Sequence, residues 1–466
     1  MSPPSLRTSF VLDVCSQKES SLTRLSVYAA SVFIVALIAG MVCAAIWVYL
    51  LLGHGHFWRV PLPPAPVNGG PEPSSPVNSF SRLILSAVAP VSGAAESKKR
   101  YPHEAVTVAV VIPARDEADV IARAVTSLQR QRFATPTLSP KSGEQDGAPA
   151  GEEDETPETS LHIFVVDDNS TDGTGDVARQ AACEHPDRVR VIPGRPLAPG
   201  WSGKLWAVQQ GVEQALALRP DYILLTDADI EHSSDNVGSL IQIAGSGGYD
   251  IASYMVKLHC RSLAEKLLIP AFVFFFFLLY PPEWIRDPRR KTAGAAGGCI
   301  LIRTAALEHI GGISAIRREI IDDCALARTV KQSGGRVWLG VTADTHSVRP
   351  YESFGEIEKM IARTAFNQLR HSFWLLAGTI FGMLLIYILP LGLIMSGSAK
   401  LALVGAAAFV LMCGSYLPMI RFYGLRPLWT LTLPFSAAFY AGATVHSAIR
   451  YWRGRGGEWK GRTQDA

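Results

Sequence analysis

Tyr222-Ile-Leu-Leu-Thr-Asp-Ala-Asp229 decides how this chain is read. A short apolar run stops abruptly in two carboxylates separated by one alanine. Continuous apolar runs of this length, bounded by turn chemistry, suit strands buried on both faces. Carboxylates at the end of such a strand stand where a sheet opens to solvent. Hard cations take oxygen ligands, and Mg²⁺ is usually held by one or two carboxylates plus phosphates. Asp227 and Asp229 therefore suit a divalent metal carrying a diphosphate, although Asp-x-Asp in isolation is more often a turn cap.

Working outward, the same construction recurs. Thr107-Val-Ala-Val-Val-Ile-Pro-Ala-Arg-Asp-Glu117 is a β-branched run ending in charge. Behind it Val120, Ile121, Ala124, Val125 and Leu128 fall on one helical face. His162-Ile-Phe-Val-Val-Asp-Asp-Asn-Ser-Thr-Asp-Gly-Thr174 repeats the unit, with Ser170 and Thr171 placed to cap the following helix. A third run, Val189 to Ile192, precedes Gly200-Trp-Ser-Gly-Lys204. Strands alternating with helices predict an open α/β sheet, whose ligands bind beyond the strand carboxyl ends. Asp168, Lys204, Asp227 and Asp229 all lie at or just past such ends. Asp168 could accept hydrogen bonds from a nucleobase or ribose, or cap a helix. Lys204 could meet a phosphate, or be a solvated lysine.

The segments Val111–Glu117, Val165–Thr174 and Asp227-Ala-Asp229 resemble family 2 glycosyltransferases. Gly294-Ala-Ala-Gly-Gly-Cys-Ile-Leu-Ile-Arg303 resembles that family's glycine-rich acceptor-side segment, and Ile321-Asp-Asp-Cys-Ala-Leu326 its acidic base motif. Pro199–Ala207, Val348-Arg-Pro-Tyr351, Arg363–Leu369 and Glu458–Arg462 are similar to the hopene-associated glycosyltransferases (HpnB type). The resemblance implies a GT-A nucleotide-diphospho-sugar transferase fold over 105–370, a Rossmann-like mixed sheet. It also implies a UDP-sugar donor and a Mg²⁺ or Mn²⁺ ion. By the same resemblance Ala114, Glu117 and Asp168 line the nucleoside, while Asp227 and Asp229 take the diphosphate and metal. Asp323 is the base for an acceptor hydroxyl, with Asp322 open as the alternative, and the transfer inverts the anomeric carbon. Gly298, Arg363 and Gln368 fall on the acceptor or diphosphate side. One departure is informative: Arg363-Thr-Ala-Phe366 stands where processive members carry Arg-Trp. That favours transfer of a single sugar.

Membrane attachment can be read without any family. Val27 to Leu52 exceeds the about 20 apolar residues a spanning helix needs. Phe373 to Met395, Leu401 to Ile420 and, more dilute in apolar residues, Leu428 to Ile449 are further candidates, so 371–450 reads as C-terminal transmembrane helices. Leu267 to Tyr280 holds four consecutive phenylalanines but is short and contains Pro270. A span there would put Asp229 and Asp323 in different compartments, so an interfacial helix with its aromatic face in lipid is expected. Sugar nucleotides are cytosolic, which predicts a cytoplasmic enzyme domain on a bacterial inner membrane. Arg421 and Arg426 then obey the positive-inside bias. The basic tail at 451–466 does not, if all four candidates cross.

The rest is connective. The stretch 61–104, rich in Pro, Ser, Gly and Ala, reads as a flexible linker from the anchor region at 1–60. The segment 135–160 carries seven acidic residues and reads as a disordered insertion. A net charge of +3 without a basic stripe gives no case for nucleic acid. Seven scattered cysteines lack metal or disulfide spacing. His346 is expected to be structural, and His232, which could be a third metal ligand, is expected in a loop outside the site. The expected acceptor is a lipid hydroxyl, hopanoid-like by resemblance. The alternatives are a carotenoid or glycerolipid acceptor, or a non-catalytic scaffold that binds sugar nucleotides.

Overall fold

The computed structural model describes residues 6–61, 106–133 and 159–454, with short strands at 458–459 and 462–463; residues 6–27 and 29 are described by backbone alone. The expected linker and acidic insertion lie almost wholly outside the described residues, as does half of the basic tail. Ser160, placed by the sequence in the insertion, instead pairs with Thr107.

Eight strands form one sheet in the order β3-β2-β1-β4-β7-β6-β8-β5. They are β1 (Thr107–Ala114), β2 (Ser160–Asp167), β3 (Val189–Pro193), β4 (Tyr222–Leu225), β5 (Ile230–Glu231), β6 (Ile251–Lys257), β7 (Ile300–Arg303) and β8 (Val337–Ser347). The first four are mutually parallel, as right-handed βαβ units require. β7 runs antiparallel to β4 and β6, and β8 returns parallel to β6. The sheet is therefore mixed, and the expected GT-A, Rossmann-like architecture is observed.

Helices cover both faces because the strands are apolar on both sides; β1 is buried from Val108 to Ala114. A long N-terminal helix, α1 (Leu6–Leu52), precedes the sheet. Within the α/β body lie α2 (Ile121–Gln129), α3 (Thr174–Ala181), α4 (Gly203–Leu216), α5 (Asn236–Gly247), α6 (Leu263–Leu279), α7 (Pro282–Arg286), α8 (Thr304–His309), α9 (Asp322–Gln332) and α10 (Phe354–Gln368). The predicted face of α2, Ile121 through Leu128, is buried. α4 lies unusually close to the sheet: a Cβ at Gly211 would come within 2.4 Å of Val111. That approach holds the start of α4, and so Lys204, at the carboxyl ends of β1 and β4.

The C-terminal region contains α11 (Phe373–Met383), a π-helical turn at Leu384–Ile388, α12 (Leu389–Ile394), α13 (Ala399–Phe422), a 3₁₀ turn at Pro427–Thr432 and α14 (Leu433–Trp452). Three stretches among the described residues are long and apolar enough to cross a membrane: Ala30–Leu52, Phe373–Ile394 and Ala399–Phe422. The fourth candidate, Leu428 to Ile449, is not among them. Its first residues form the 3₁₀ turn, and α14 is too polar, with Ser436, Thr444, His446 and Ser447 along its length.

α6 departs from its expected role in the direction of its rings. A capping box between Ser262 and Glu265 starts it. Phe274 and Phe277 are then buried, and Phe274 meets Phe57 and Tyr416 edge-on while Phe275 meets Tyr387 and Tyr440. The phenylalanines thus weld the sheet domain to α13 and α14 rather than presenting an open face to lipid. Stiff aromatic pairs of this kind prefer edge-to-face geometry and favour one docking angle.

Candidate active site

Two turns build the first wall. The carbonyl of Ala114, at the end of β1, accepts from the Asp168 amide at 2.8 Å. Ser170 and Thr171 do not cap α3, which starts from Gly173 in the left-handed region without a side-chain cap. Instead the Ser170 hydroxyl accepts from the Asp116 amide at 3.0 Å, and the Thr171 amide donates to Asp116 Oδ1 at 2.9 Å. Thr174 Oγ1 likewise accepts from the Glu117 amide at 2.8 Å. These hydrogen bonds tie the β1 and β2 turns together. Asp168 is fully buried beneath Arg115, whose guanidinium donates to the Asp168 carbonyl at 2.7 Å.

The second wall carries the charge. Lys204 Nζ lies 2.9 Å from Asp227 Oδ1 and 3.1 Å from Asp322 Oδ2. One ammonium thus joins the end of β4 to the start of α9, nearly a hundred residues apart in sequence. Burial alone would favour neutral Lys204, but Asp227 and Asp322 reverse this and hold its pKa well above the usual lysine range. Asp323 accepts from the Gly297 amide at 2.9 Å and from the Cys324 amide at 2.7 Å. Burial, then the charge of Asp322, pushes Asp323 up to about 6. A cavity opens between Lys204, Asp227, Gly297, Asp322 and Asp323, floored by Ile313 and Ile316.

Asp229 faces the other way along the same turn. Ser347 Oγ donates to its Oδ2 at 2.6 Å, and Arg349 Nε lies 3.7 Å from that oxygen. Arg349 also pairs with Glu117, which links the first wall to the carboxylate pair. Burial and the neighbouring Asp227 charge raise Asp229 to about 6. Asp227 and Asp229, on one turn, make an oxygen-only donor pair suited to a hard divalent cation. Among the described residues no group of three or more His, Cys, Asp or Glu forms a ready-made cage. The donor set therefore fits an ion that takes its remaining oxygens from a phosphate or water.

Behind Arg349 the chain is pinned by a buried acid. Glu265 accepts from the amides of Arg261, Ser262 and Tyr351 and pairs with His259. Burial opposes its ionisation, yet the Tyr351 amide, His259 and the other amides outweigh it and hold Glu265 down at about 2. Tyr351, whose phenol is pushed up to about 12 by burial and then by Asp229, sits between this anchor and the carboxylates.

The structure thus brings together Asp227, Lys204, Asp322 and Asp323, and places Asp229 and Glu117 around Arg349. Gly298 turns away: its carbonyl accepts from Thr226 Oγ1 at 2.8 Å, and a Cβ there would meet Val256 and Ile230. Gly297 is the glycine that faces Lys204 and Asp323. Gln368 bonds Tyr280 Oη at 2.8 Å, on the flank of α9, whereas Arg363 is exposed and reaches the site only as a charge felt by Tyr351. His232 is buried, with its two ring nitrogens engaged by Asn236 at 2.9 Å and Thr226 at 3.0 Å; burial lowers it to about 3, so it is a neutral structural residue. His346 lies half-exposed beside Glu231.

Residues 109–311 match the family model Glycosyl transferase family 2. The match takes in the first four strands, Lys204, the Asp227/Asp229 pair and the glycine-rich segment, and ends before Asp322 and Asp323. A curated relative, polyprenol monophosphomannose synthase of Mycolicibacterium smegmatis, is 31% identical over 87 residues, 19% of this chain. The aligned stretch spans 31% of that relative's length. Among solved structures, a mannosyltransferase from Pyrobaculum calidifontis in complex with GDP-Man and Mn²⁺ superposes with a TM-score of 0.46 at 15% identity, over 87% of this chain and 99% of its own. Glucosyl-3-phosphoglycerate synthase of Mycobacterium tuberculosis, in complex with Mn²⁺, UDP and glucosyl-3-phosphoglycerate, gives 0.34 at 17% identity, over 57% of this chain and 79% of its own.

Proposed function

We propose, from the match of residues 109–311 to the Glycosyl transferase family 2 model, that this chain is a membrane-bound inverting glycosyltransferase. It moves one sugar from a nucleotide-diphospho-sugar, UDP-linked by the sequence resemblance, to the hydroxyl of a lipid in a bacterial inner membrane. The observation that carries this reading is Lys204, which holds Asp227 and Asp322 at 2.9 and 3.1 Å and so joins the leaving-group side to the residue beside the base.

In the proposed reaction Asp323 removes the acceptor hydroxyl proton. The oxygen attacks the anomeric carbon from the face opposite the diphosphate, and the carbon–oxygen bond to the diphosphate breaks with inversion. The departing electron pair stays on the diphosphate, and the Lys204 ammonium meets the charge that develops there. Asp227 and Asp229 would hold the Mg²⁺ or Mn²⁺ ion, which supplies Lewis-acid stabilisation of the leaving group. The Gly297 and Cys324 amides orient the Asp323 carboxylate, and a carboxylate near pKa 6 suits a base working at neutral pH. Asp323 rather than Asp322 takes this role because Asp322 is already committed to Lys204.

Because sugar nucleotides are cytosolic, the α/β domain lies inside and the amino terminus outside in this reading, with three stretches able to span and the acceptor drawn from the adjoining leaflet. A hopanoid-like alcohol is the acceptor suggested by the sequence resemblance. The mycolicibacterial likeness favours a second reading in which a polyprenyl phosphate takes its place. Lipid extracts of cells lacking the protein, complemented with wild type or Asp323→Asn, separate the two. A neutral glycosylated polycyclic lipid supports the first and a glycosyl phosphoprenol the second, whereas identical extracts from both strains defeat transfer altogether.

A further inference from the structure

The segment from Pro427 to Trp452 was a candidate span in the sequence; it packs Ala448 against Leu376 of the second spanning stretch, yet its own side-chain hydrogen bonds reach into the enzyme body. Ser436 Oγ donates to the Leu267 carbonyl at 2.7 Å, and Tyr440 Oη donates to the Leu268 carbonyl at 3.0 Å, both on α6. Farther along, Ser447 Oγ donates to the Ala362 carbonyl and accepts from the Phe366 amide, both on α10, and His446 pairs with Glu358. α10 itself carries Glu356, Glu358, Lys359 and Arg363. Carrying α14 across the bilayer would drag these charges into hydrocarbon, where ionised side chains are costly and rare.

The opposite face of the same segment is apolar and uncovered. Leu428 is 73% exposed, Leu431 52% and Phe435 52%. Phe354, the first residue of α10, extends the patch through ring contacts with Phe435 and Phe439. Two further observations say what covers it. The patch begins six residues after Phe422, where the third spanning stretch ends. Exposed Arg421 and Arg426 flank it. Apolar side chains rimmed by arginine, continuous with a spanning helix, match the headgroup zone of an anionic leaflet.

We propose that Pro427–Trp452 lies in the plane of the membrane, with Leu428, Leu431, Phe435 and Phe354 dipped into the leaflet on the side of the catalytic domain. The chain then crosses three times, and its basic carboxyl end returns to that same side. Positive charge at Arg421, Arg426, Arg450 and Arg453 falls together there, which removes the conflict a fourth span would create. Phe354 opens α10 just after the loop that carries Arg349 and Tyr351. The leaflet contact therefore sets the height of that loop above the lipid. Depth is a property of the resting protein, so this placement stands or falls independently of sugar transfer.

The test uses the full-length protein in vesicles of phosphatidylcholine and phosphatidylglycerol, with Leu431→Cys carrying a fluorophore and the signal of labelled unsubstituted protein subtracted. Nitroxide lipids labelled near the headgroup are expected to remove most of the fluorescence, whereas nitroxides at mid-chain and aqueous iodide leave most of it. Protease added to one vesicle face is expected to remove a carboxyl-terminal tag only where it also cleaves the catalytic domain. Strong mid-chain quenching, with the tag on the opposite face, would overturn the proposal in favour of a fourth span. Quenching by iodide alone would overturn it in favour of a patch that faces water. Phe435→Cys repeats the measurement if the first variant does not fold.

Discussion

The two halves of the sheet hold their functional groups by different means. In the parallel half, β3-β2-β1-β4, the side chains sit on turns that directly continue buried strands, and backbone bonds such as Ala114 to Asp168 fix them. In the mixed half, β7-β6-β8-β5, Asp322 and Tyr351 are placed by side chains that reach across elements, Lys204 and Glu265, and Ser347 reaches back to Asp229. A scaffold-fixed wall is rigid before any ligand arrives. A wall held by ion pairs can rearrange when a diphosphate competes for Lys204 and Arg349, which suits the half expected to admit the acceptor.

The largest effect should come from the mixed half. Asp323→Asn is expected to lower transfer by about 10²–10⁴, the usual worth of a general base, with donor affinity kept. Isothermal titration with the donor beside single-turnover rates checks both parts. Lys204→Met cuts the link between the halves. A loss on the order of 10²–10³ in kcat is expected, as for removal of one preorganised charge-stabilising donor. Equal rates in this variant and the wild type would show that the two halves work without that bridge.

A pH profile sharpens the same contrast. Burial and Asp322 raise Asp323 to about 6, and only the ionised form can accept a proton. Activity should therefore be full above that pH and fall below it, by about tenfold per unit. Asp322→Asn removes the like charge, so the acid limb should move to lower pH. Asp229 is also raised to about 6, so saturating Mg²⁺ is needed to suppress its proton uptake. Smaller still is Glu265→Gln, where a carboxylate that accepts three amides is lost. About 1.5–3 kcal/mol of stability is expected to go, with acceptor KM rising more than kcat falls. Denaturant midpoints and a KM–kcat split measure it.

Legibility follows the same division. Strand-end carboxylates in the parallel half could be read because each sits where an apolar run stops, and Asp168, Asp227 and Asp229 all lie at such ends. The Arg349–Glu117 and Glu265–Tyr351 pairings could not, since they join residues far apart whose meeting depends on β8 returning beside β6. Arg349 lay within a segment already singled out, immediately past a strand, and that position was the available signal. Choosing Gly298 over Gly297 failed because a one-residue shift reverses which side of the chain meets Asp323. The interfacial reading of α6 rested on topology, which says that the helix does not cross and not what its phenylalanines pack against; Phe274 and Phe275 meet protein rings.

The most direct test of the central claim is transfer by the purified protein in lipid vesicles, with a panel of nucleotide-diphospho-sugars, Mg²⁺ or Mn²⁺, and extracted membrane lipid as acceptor. Mass spectrometry should find a lipid gaining one sugar with wild type and not with Asp323→Asn, although both bind the donor. Donor binding with no glycolipid formed by either protein would contradict the account and leave a sugar-nucleotide-binding scaffold in its place.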